Sequence, residues 1–178
     1  MKDFDALVAQ LDPAMAIVTT SDGVERAGCL IGFHAQCSIE PERYVVWLSK
    51  ANHTYRVALL AGHVAVHFLA EDDLEIARLF GTTSGDDVDK FERCDWEAGP
   101  HGVPLLKACP NRFIARRHAL LDEGSDHVCV VLEPTEAWST GSLRPLRLAA
   151  AKALEPGHES HERPLPGTVR SEEEGSRP

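Results

Sequence analysis

Short runs of apolar and β-branched residues recur along the chain, separated by turns rich in glycine, proline and acidic residues. The clearest run is residues 44–49, YVVWLS, which has the composition of a β-strand. Two earlier runs, residues 14–20 and 26–35, flank Asp22-Gly23, and Asp-Gly between two such runs predicts a tight hairpin. Gly28 and Gly32 are expected to break the second run. Further strands are predicted over residues 64–69, 114–121 and 128–132, with an irregular last strand over 138–148.

Apolar residues at helical spacing predict three short helices, over residues 3–11, 52–60 and 71–80. Asn52 or Thr54 is the expected N-cap of the second helix, because either side chain can accept a hydrogen bond from a free helix amide. We expect the third helix to end at Gly81, since glycine commonly follows the last helical residue.

The predicted strands follow one another in hairpin-like succession, without the alternation of strands and helices that builds a parallel sheet. No G-x-G-x-x-G segment follows the first strand, so a doubly wound nucleotide-binding fold is not expected. These patterns predict a mainly β fold, an antiparallel β-barrel with α insertions.

We assign residues 1–154 to one domain and residues 155–178 to a flexible polar tail. A chain of 178 residues has room for one domain with a substantial core but not for two. After Leu154 the sequence is rich in Glu, Pro, Gly, Ser and Arg and has few apolar residues. Such a segment buries too little surface to offset the entropy of ordering.

The net charge of −10 argues against nucleic acid as a partner, because a face that binds nucleic acid needs basic residues to meet phosphates. No apolar run approaches the ~18 residues that suggest a membrane span. The first residues lack the basic-then-apolar pattern of a signal peptide, and the five scattered cysteines include no C-x-x-C pair. We therefore expect a cytoplasmic protein with reduced thiols.

Residues 28–41, GCLIGFHAQCSIEP, form a predicted strand with two glycines, followed by small and hydroxyl residues and a proline turn. Glycines inside a strand mark places where a ligand or another backbone comes close. A planar cofactor could lie against this edge and accept hydrogen bonds from main-chain amides. A glycine bulge at a barrel corner explains the same residues, so this segment alone leaves both interpretations open.

Residues 49–55, SKANHTY, leave the clearest strand and enter the second helix. Hydroxyls, a lysine and helix N-terminal amides converge there, and groups of this kind bind phosphate. Simple N-capping by Asn52 or Thr54 would need no ligand at all.

A series of short motifs in a fixed order is more specific than any one of them. In chain order they are QCSIEP at 36–41, the strand and polar segment at 44–55, the strand and acidic helix start at 64–73, ARLF at 77–80, KF at 90–91, Trp96, GVPLL at 102–106 and GSDH at 124–127. The series resembles the flavin reductase-like, FMN-binding split barrels, which include the reductase components of two-component flavin monooxygenases. The resemblance covers roughly residues 5–150 and implies a split antiparallel β-barrel.

The resemblance implies a flavin site with residues in several roles. Lining the isoalloxazine ring and ribityl chain, largely through backbone groups, would be Leu30, Ile31, Gly32, Phe33, His34, Gln36 and Cys37. Holding the phosphate end would be Ser49, Lys50, Ala51, Asn52, His53, Thr54 and Tyr55. Arg78 and Phe80 would approach the flavin from the third helix, and His127 would be the catalytic residue that helps to place NAD(P)H. An exposed histidine at a strand start is the alternative for His127.

The activity implied by the resemblance is that of an NAD(P)H-dependent flavin reductase, in which hydride passes from NADH or NADPH to FMN or FAD. The flavin could be a bound cofactor or a substrate. A homodimer with flavin near its interface, and a flavin-dependent monooxygenase as partner, are also implied. Family members often have Thr, Asn and Ser where this chain has Leu30, Gly32 and Phe33, and a serine in place of Gln36. The smaller number of hydroxyls keeps a deazaflavin open as the cofactor.

Other functional classes also fit the pattern. They are an oxidoreductase for another small substrate on the same fold, a non-catalytic flavin-binding sensor, and a structural barrel whose glycines serve only its bends. No metal site is expected, because the pairs His34/Cys37 and His158/His161 each lack a second ligand pair. Cys37 is not expected to be a nucleophile, since no third group is evident to orient His34.

Overall fold

Seven antiparallel strands form one sheet in the computed structural model, which describes residues 2–152 and 154. Along the chain the strands are β1 (Ala16–Ser21), β2 (Arg26–Ile31), β3 (His34–Ile39), β4 (Glu42–Ser49), β5 (His63–Phe68), β6 (Trp96–Ala98), β7 (Pro104–Leu106), β8 (Arg112–Leu121) and β9 (His127–Trp138). The sheet has the order β2-β1-β5-β8-β9-β4-β3, and β6 pairs separately with β7. All these pairings are antiparallel, which confirms the predicted fold class.

Two of the four short helices cover opposite faces of the β1–β2 hairpin. The helices are α1 (Lys2–Val8), α2 (His53–Leu60), α3 (Leu74–Thr82) and α4 (Leu148–Ala151). Ala58 of α2 packs into the cluster that holds Val18 and Cys29, whereas Phe80 of α3 packs into the cluster that holds Ile17. β2 is an edge strand of the sheet, and it is therefore covered on both of its faces.

The strand alternation of the sequence sets which side chains enter the main core. Alternate residues of the curled sheet, such as Val46 on β4 and Val66 on β5, pack with Val130 and Leu132 on β9. Neighbouring residues on β1 face opposite sides, and both sides are buried because a second cluster lies between β1 and α3. These two clusters fix the position of β2.

His67, on β5, is a polar side chain that the core buries completely. Its Nδ1 lies 3.3 Å from the carbonyl oxygen of Ile17, and the amide of Leu106 donates to its Nε2 at 3.1 Å. Because a carbonyl can only accept, Nδ1 carries the proton and the ring is the neutral tautomer. Burial lowers the pKa of His67 to about 3.

The structure confirms the two best-supported local predictions. The hairpin joins β1 to β2, and Gly23 at its tip has a φ of 93°, which is the left-handed region that glycine tolerates best. Asn52 is the N-cap of α2, since its side-chain oxygen accepts a hydrogen bond from the Thr54 amide at 3.0 Å. Residues 44–49 lie within β4, as predicted.

Three local predictions are wrong. Gly81 does not end the third helix but lies inside α3, which runs to Thr82. The run 26–35 is interrupted at Gly32, as predicted, but not at Gly28, which lies inside β2. Residues 138–148 form isolated bridges, such as that between Ala70 and Pro145, and no last strand.

The chain ends bear on two further predictions. The first predicted helix is present as α1, but none of its residues is buried. The tail assigned to residues 155–178 lies outside the described residues. Within the part of the chain that the structure describes, no helix is long and apolar enough to cross a membrane.

Candidate functional site

A groove of about 470 Å³ lies where the β2–β3 turn meets the end of β4, the start of β9 and α4. Residues 30–33 form one wall, and His127 lies in the same groove with Ser49 and Asn52. Their positions follow from the sheet, because Ser49 pairs with His127 across β4 and β9. The structure thus brings together seven of the residues predicted to bind cofactor or to act in catalysis: Leu30, Ile31, Gly32, Phe33, Ser49, Asn52 and His127.

His127 and its neighbours form the polar part of the groove. The Nδ1 of His127 lies 3.0 Å from Oδ1 of Asp126, and the edge of the Phe33 ring meets the imidazole at 5.5 Å between centroids. The hydrogen bond from His127 lowers the pKa of Asp126, so this carboxylate stays ionised. The Asp126 carboxylate and the Phe33 ring both contact the imidazole, and these two contacts restrict its orientation.

Two glycines shape the wall that residues 30–33 provide. A Cβ placed on Gly32 would meet only the Met15 side chain, at 3.5 Å, so the backbone at this turn is open to a ligand. A Cβ on Gly81 would lie 2.9 Å from Cδ2 of Leu30, so α3 can approach β2 closely only because Gly81 has no side chain. The hydrogen bond from the Trp47 amide to the Phe33 carbonyl, at 3.0 Å, holds the turn against β4.

The His34 side chain lies inside the barrel rather than in the groove, so its predicted contact with flavin, expected largely through backbone groups, stays a prediction. Its Nε2 lies 2.9 Å from the Ala14 carbonyl and its Nδ1 lies 2.6 Å from the Tyr44 hydroxyl. Since the carbonyl must accept, Nε2 carries the proton and Nδ1 accepts from Tyr44. Burial lowers the pKa of His34 and raises that of Tyr44 to about 12. His34 therefore connects β3 to the chain before β1.

Gln36 and Cys37 are also absent from the groove. Both are exposed on β3, at the outer edge of the sheet. The register shifts between Gln36 and Ser38, and the Gln36 amide donates to the Ser38 carbonyl at 3.2 Å. β3 leads away from the turn at residues 32–33, so these two side chains lie beyond the wall of the groove.

Three of the residues predicted to hold phosphate pack into the protein interior. Ala51 is buried, and Thr54 is only 1% exposed. The Thr54 hydroxyl hydrogen-bonds to the Cys29 thiol instead of facing the groove. Tyr55 packs against the barrel core. Their side chains therefore stabilise α2 against the sheet, and the role predicted for these three residues at the phosphate end of a flavin stays a prediction.

Two more residues of that segment have other charged partners. Nζ of Lys50 lies 2.8 Å from Oδ1 of Asp122, a contact that lowers the pKa of this carboxyl. His53 lies 3.1 Å from Asp86 and lines a separate cleft of about 830 Å³ on the other side of β2. Within the predicted phosphate segment, only Ser49 and Asn52 line the groove.

Arg78 and Phe80 do not face the groove either. The Phe80 side chain is 2% exposed and packs edge-to-face against Phe91 at 5.6 Å between centroids. Arg78 is exposed and borders a different cleft with Cys94. The helical periodicity of residues 71–80 shows that one face is buried but does not show which neighbour covers it.

Several groove residues were not predicted from the sequence. Trp47 precedes Ser49 by two positions on β4, so strand alternation places both on the same face and could have identified it. Met15, Leu148, Ala151 and Lys152 meet the groove only through tertiary packing of the chain's two ends, for which the sequence has no local signal.

Comparison with known proteins identifies the family. The model of the flavin reductase like domain matches residues 10–151, which is most of the chain. The chain belongs to this family. The family assignment confirms the resemblance seen in the order of the sequence motifs.

Curated relatives carry reductase names. The chain is 28% identical over 132 residues to the reductase subunit of stachydrine N-demethylase from Rhizobium meliloti, covering 72% of this chain and 54% of that protein. It is 28% identical over 137 residues to FMN reductase (NADH) from Agrobacterium fabrum, covering 76% of this chain and 75% of that protein. A probable flavin reductase of Rhizobium meliloti is covered over 40% of its length. The chain thus spans about half the length of the two Rhizobium meliloti relatives.

Solved structures show the same fold. A flavin reductase domain protein from Arthrobacter superposes with a TM-score of 0.70 at 22% identity, covering 94% of this chain and 99% of that one. An FMN-binding protein from Thermus thermophilus superposes with a TM-score of 0.68 at 19% identity, covering 82% of this chain and 77% of that one. At these sequence identities the superpositions show that the folds are alike. They confirm the predicted split barrel.

Proposed function

We propose that this chain is an NAD(P)H-dependent flavin reductase that binds FMN in the groove. The observation that carries this proposal is the convergence of the β2–β3 turn, Ser49 and His127 in one groove of a flavin reductase-like domain. The reductase names of the curated relatives support the same reaction.

The groove suits a flavin in size and in the placement of its polar groups. Its volume of about 470 Å³ lies in the range usual for cofactor sites. Leu30, Phe33 and Trp47 offer apolar and aromatic surface for a flat ring, while Ser49 and Asn52 offer hydrogen bonds to a polar chain. The open backbone at Gly32 allows close approach of the ring edge to main-chain groups.

Most of the proposed role of the protein is binding and orientation. A bound flavin supplies the redox chemistry, accepting a hydride equivalent from nicotinamide and passing electrons on. Main-chain groups of residues 30–33 would hold the ring edge. His127, oriented by Asp126, would position the nicotinamide at reacting distance, and Phe33 and Trp47 would limit access of water.

The identity of donor, flavin and partner rests on the relatives. We propose NADH or NADPH as the donor and FMN as the flavin, with FAD and a deazaflavin as the alternatives that a titration separates. Relatives include the reductase component of a flavin-dependent trigonelline monooxygenase and the reductase subunit of another flavin-dependent monooxygenase. We therefore propose a flavin-dependent monooxygenase as the partner that consumes the reduced flavin.

A homodimer is part of the proposal. Large apolar side chains are exposed in the groove and on the sheet edge: Phe33, which lines the groove, is 57% exposed, and Ile39, on the edge strand β3, is 83% exposed. The outer edge of β3 also offers unpaired backbone groups. A second copy of the chain would cover this surface. Sedimentation velocity of the full chain tests this, and a monomer at every concentration would contradict it.

We also propose that the protein acts in the cytoplasm. Cys29, Cys37, Cys94, Cys109 and Cys129 are all free thiols, and reduced thiols are typical of that compartment. Cell fractionation with an antibody to the chain tests this location, and recovery outside the cytoplasm would contradict it.

Replacing His127 by Gln is expected to slow flavin reduction more than it weakens flavin binding. The kcat for NAD(P)H-dependent FMN reduction should fall about tenfold, because the nicotinamide loses an oriented partner, while the Kd for FMN changes less than about twofold. Steady-state loss of NAD(P)H absorbance gives kcat, and quenching of flavin fluorescence gives Kd.

His118→Gln is the matched control for this variant. His118 is exposed on β8 and does not line the groove, so its removal should leave both constants unchanged. An unchanged kcat in the His127 variant would remove His127 from the proposed reaction.

A further inference from the structure

The C-terminal helix α4 places one lysine at the groove. Leu148 and Ala151 of α4 line the groove, and Lys152 directly after them lines it with an exposed side chain. The Leu148 amide donates to the Pro13 carbonyl at 2.9 Å, and the Ala149 amide donates to Oδ1 of Asp12 at 2.7 Å. These bonds anchor the start of α4 to the chain before β1, and Lys152 lies at the other end of the same short helix.

Other cations near the groove are engaged elsewhere. Lys50 pairs with Asp122, and the Arg147 guanidinium donates to the Asp12 carbonyl at 3.3 Å. Among the described residues that line the groove, Lys152 is the side chain with a permanent positive charge. The negative charge in that lining is Asp126, which the neighbouring His127 keeps ionised.

A phosphorylated ligand would meet unfavourable electrostatics here without a cation. The chain carries a net charge of −10, and Asp126 adds a local negative charge. Hydroxyl and amide groups such as Ser49 and Asn52 can bond to phosphate oxygens but do not neutralise their charge. An ammonium on a flexible four-carbon stem can reach into the groove from its rim and supply that charge.

We propose that Lys152 makes the groove selective for a phosphorylated flavin by pairing with the terminal phosphate of FMN. This inference rests on the proposed function. It assigns to the C-terminal helix a part in flavin recognition, and it distinguishes FMN from riboflavin, which has the same ring and ribityl chain but no phosphate.

Titration of the full chain with FMN and with riboflavin tests the role of Lys152. In Lys152→Gln the Kd for FMN is expected to rise about five- to tenfold, as for loss of one partly exposed charge-assisted contact, while the Kd for riboflavin changes less than about twofold. Added NaCl should weaken FMN binding to the unmodified chain more than to this variant, because the screened attraction is missing there.

Lys107→Gln and Lys152→Arg are the matched variants. Lys107 is exposed and borders a different cleft, so its loss should leave both flavin affinities unchanged, whereas Arg at position 152 should retain the preference for FMN. An unchanged Kd for FMN in Lys152→Gln, or an equal loss of both flavins, would overturn the role of the charge. Failure of the unmodified chain to bind either flavin would instead contradict the proposed function, and Lys152's role with it.

Discussion

Lowering the pH from 7 to 5 is expected to reduce the free energy of unfolding by about 2 kcal/mol through His67 alone. The folded chain holds His67 neutral, with its pKa lowered from 6.5 to about 3 by burial. Once the pH falls below 6.5, the unfolded chain binds a proton at this residue that the folded chain does not. Stability is therefore lost progressively as the pH falls from 6.5 toward 3.

Protonation is disfavoured by geometry as well as by burial. The Leu106 amide donates to Nε2 at 3.1 Å, so a proton on that nitrogen would set two donors against each other. Urea unfolding at the two pH values measures the change. Many carboxylates titrate over the same pH range. Isolating the contribution of His67 therefore needs a variant in which only the side chain at position 67 no longer titrates.

His67→Gln is that variant. A glutamine amide can donate to the Ile17 carbonyl and accept from the Leu106 amide but does not titrate. The loss of stability between the two pH values should be smaller by about 2 kcal/mol in this variant than in the unmodified chain. Equal losses in the two proteins would show that His67 is protonated in the folded state without penalty.

Gly28→Ala is expected to lower the free energy of unfolding by about 2–3 kcal/mol, as for overpacking of a dense core. A Cβ at this position would lie 2.7 Å from Cε1 of Phe80 and 3.1 Å from the Val18 carbonyl oxygen. The Phe80 ring cannot move away easily, since it is buried and packs against Phe91. Lys90 further fixes this region, because its Nζ donates to the Gly28 carbonyl at 2.9 Å.

Gly62→Ala is the matched control for the loss of a glycine. A Cβ on Gly62 meets nothing within 4 Å. This substitution should therefore leave stability unchanged or raise it by about 0.5 kcal/mol, through a smaller entropy of the unfolded chain. If both alanine variants behave alike in chemical denaturation, Phe80 is not the obstacle at Gly28.

Gly28 and Gly32 show why this segment of the chain contains glycines. From the sequence, glycines in this strand marked close approach of either a ligand or other parts of the protein. The structure separates the two cases. At Gly28 the close neighbour is the Phe80 ring, whereas Gly32 lines the groove and is open. The same residue type thus serves packing at one position and ligand access at the other.

Local sequence signals succeeded where a few neighbouring residues decide the structure. The Asp22-Gly23 hairpin and the Asn52 cap depend on backbone geometry and on one side-chain contact within a few positions. β3 is not predicted as a strand of its own, because its residues, HAQCSI, are largely exposed on an edge and lack an alternating apolar pattern. Residues 138–148 form two isolated bridges, and their sequence has no regular apolar pattern from which these bridges could be predicted.

The sequence predicted groove residues correctly only where the backbone passes the groove and the side chain or backbone group also faces it. Residues 30–33 lie at a turn whose backbone faces the groove, and His127 starts a strand beside it. Thr54 and Phe80 belong to segments adjoining the groove but face the core, which a motif does not reveal. Lys152 is far in sequence from the other groove residues, so only the tertiary structure identifies it.

Anaerobic mixing of the full chain with FMN and then with NADH or NADPH tests the proposed reduction most directly. Bleaching of the flavin absorbance band near ~450 nm, at a rate proportional to the amount of protein and slowed in His127→Gln, is the expected result. Flavin that stays oxidised with both donors, under conditions where the chain is folded and FMN is bound, would contradict the assignment as a flavin reductase.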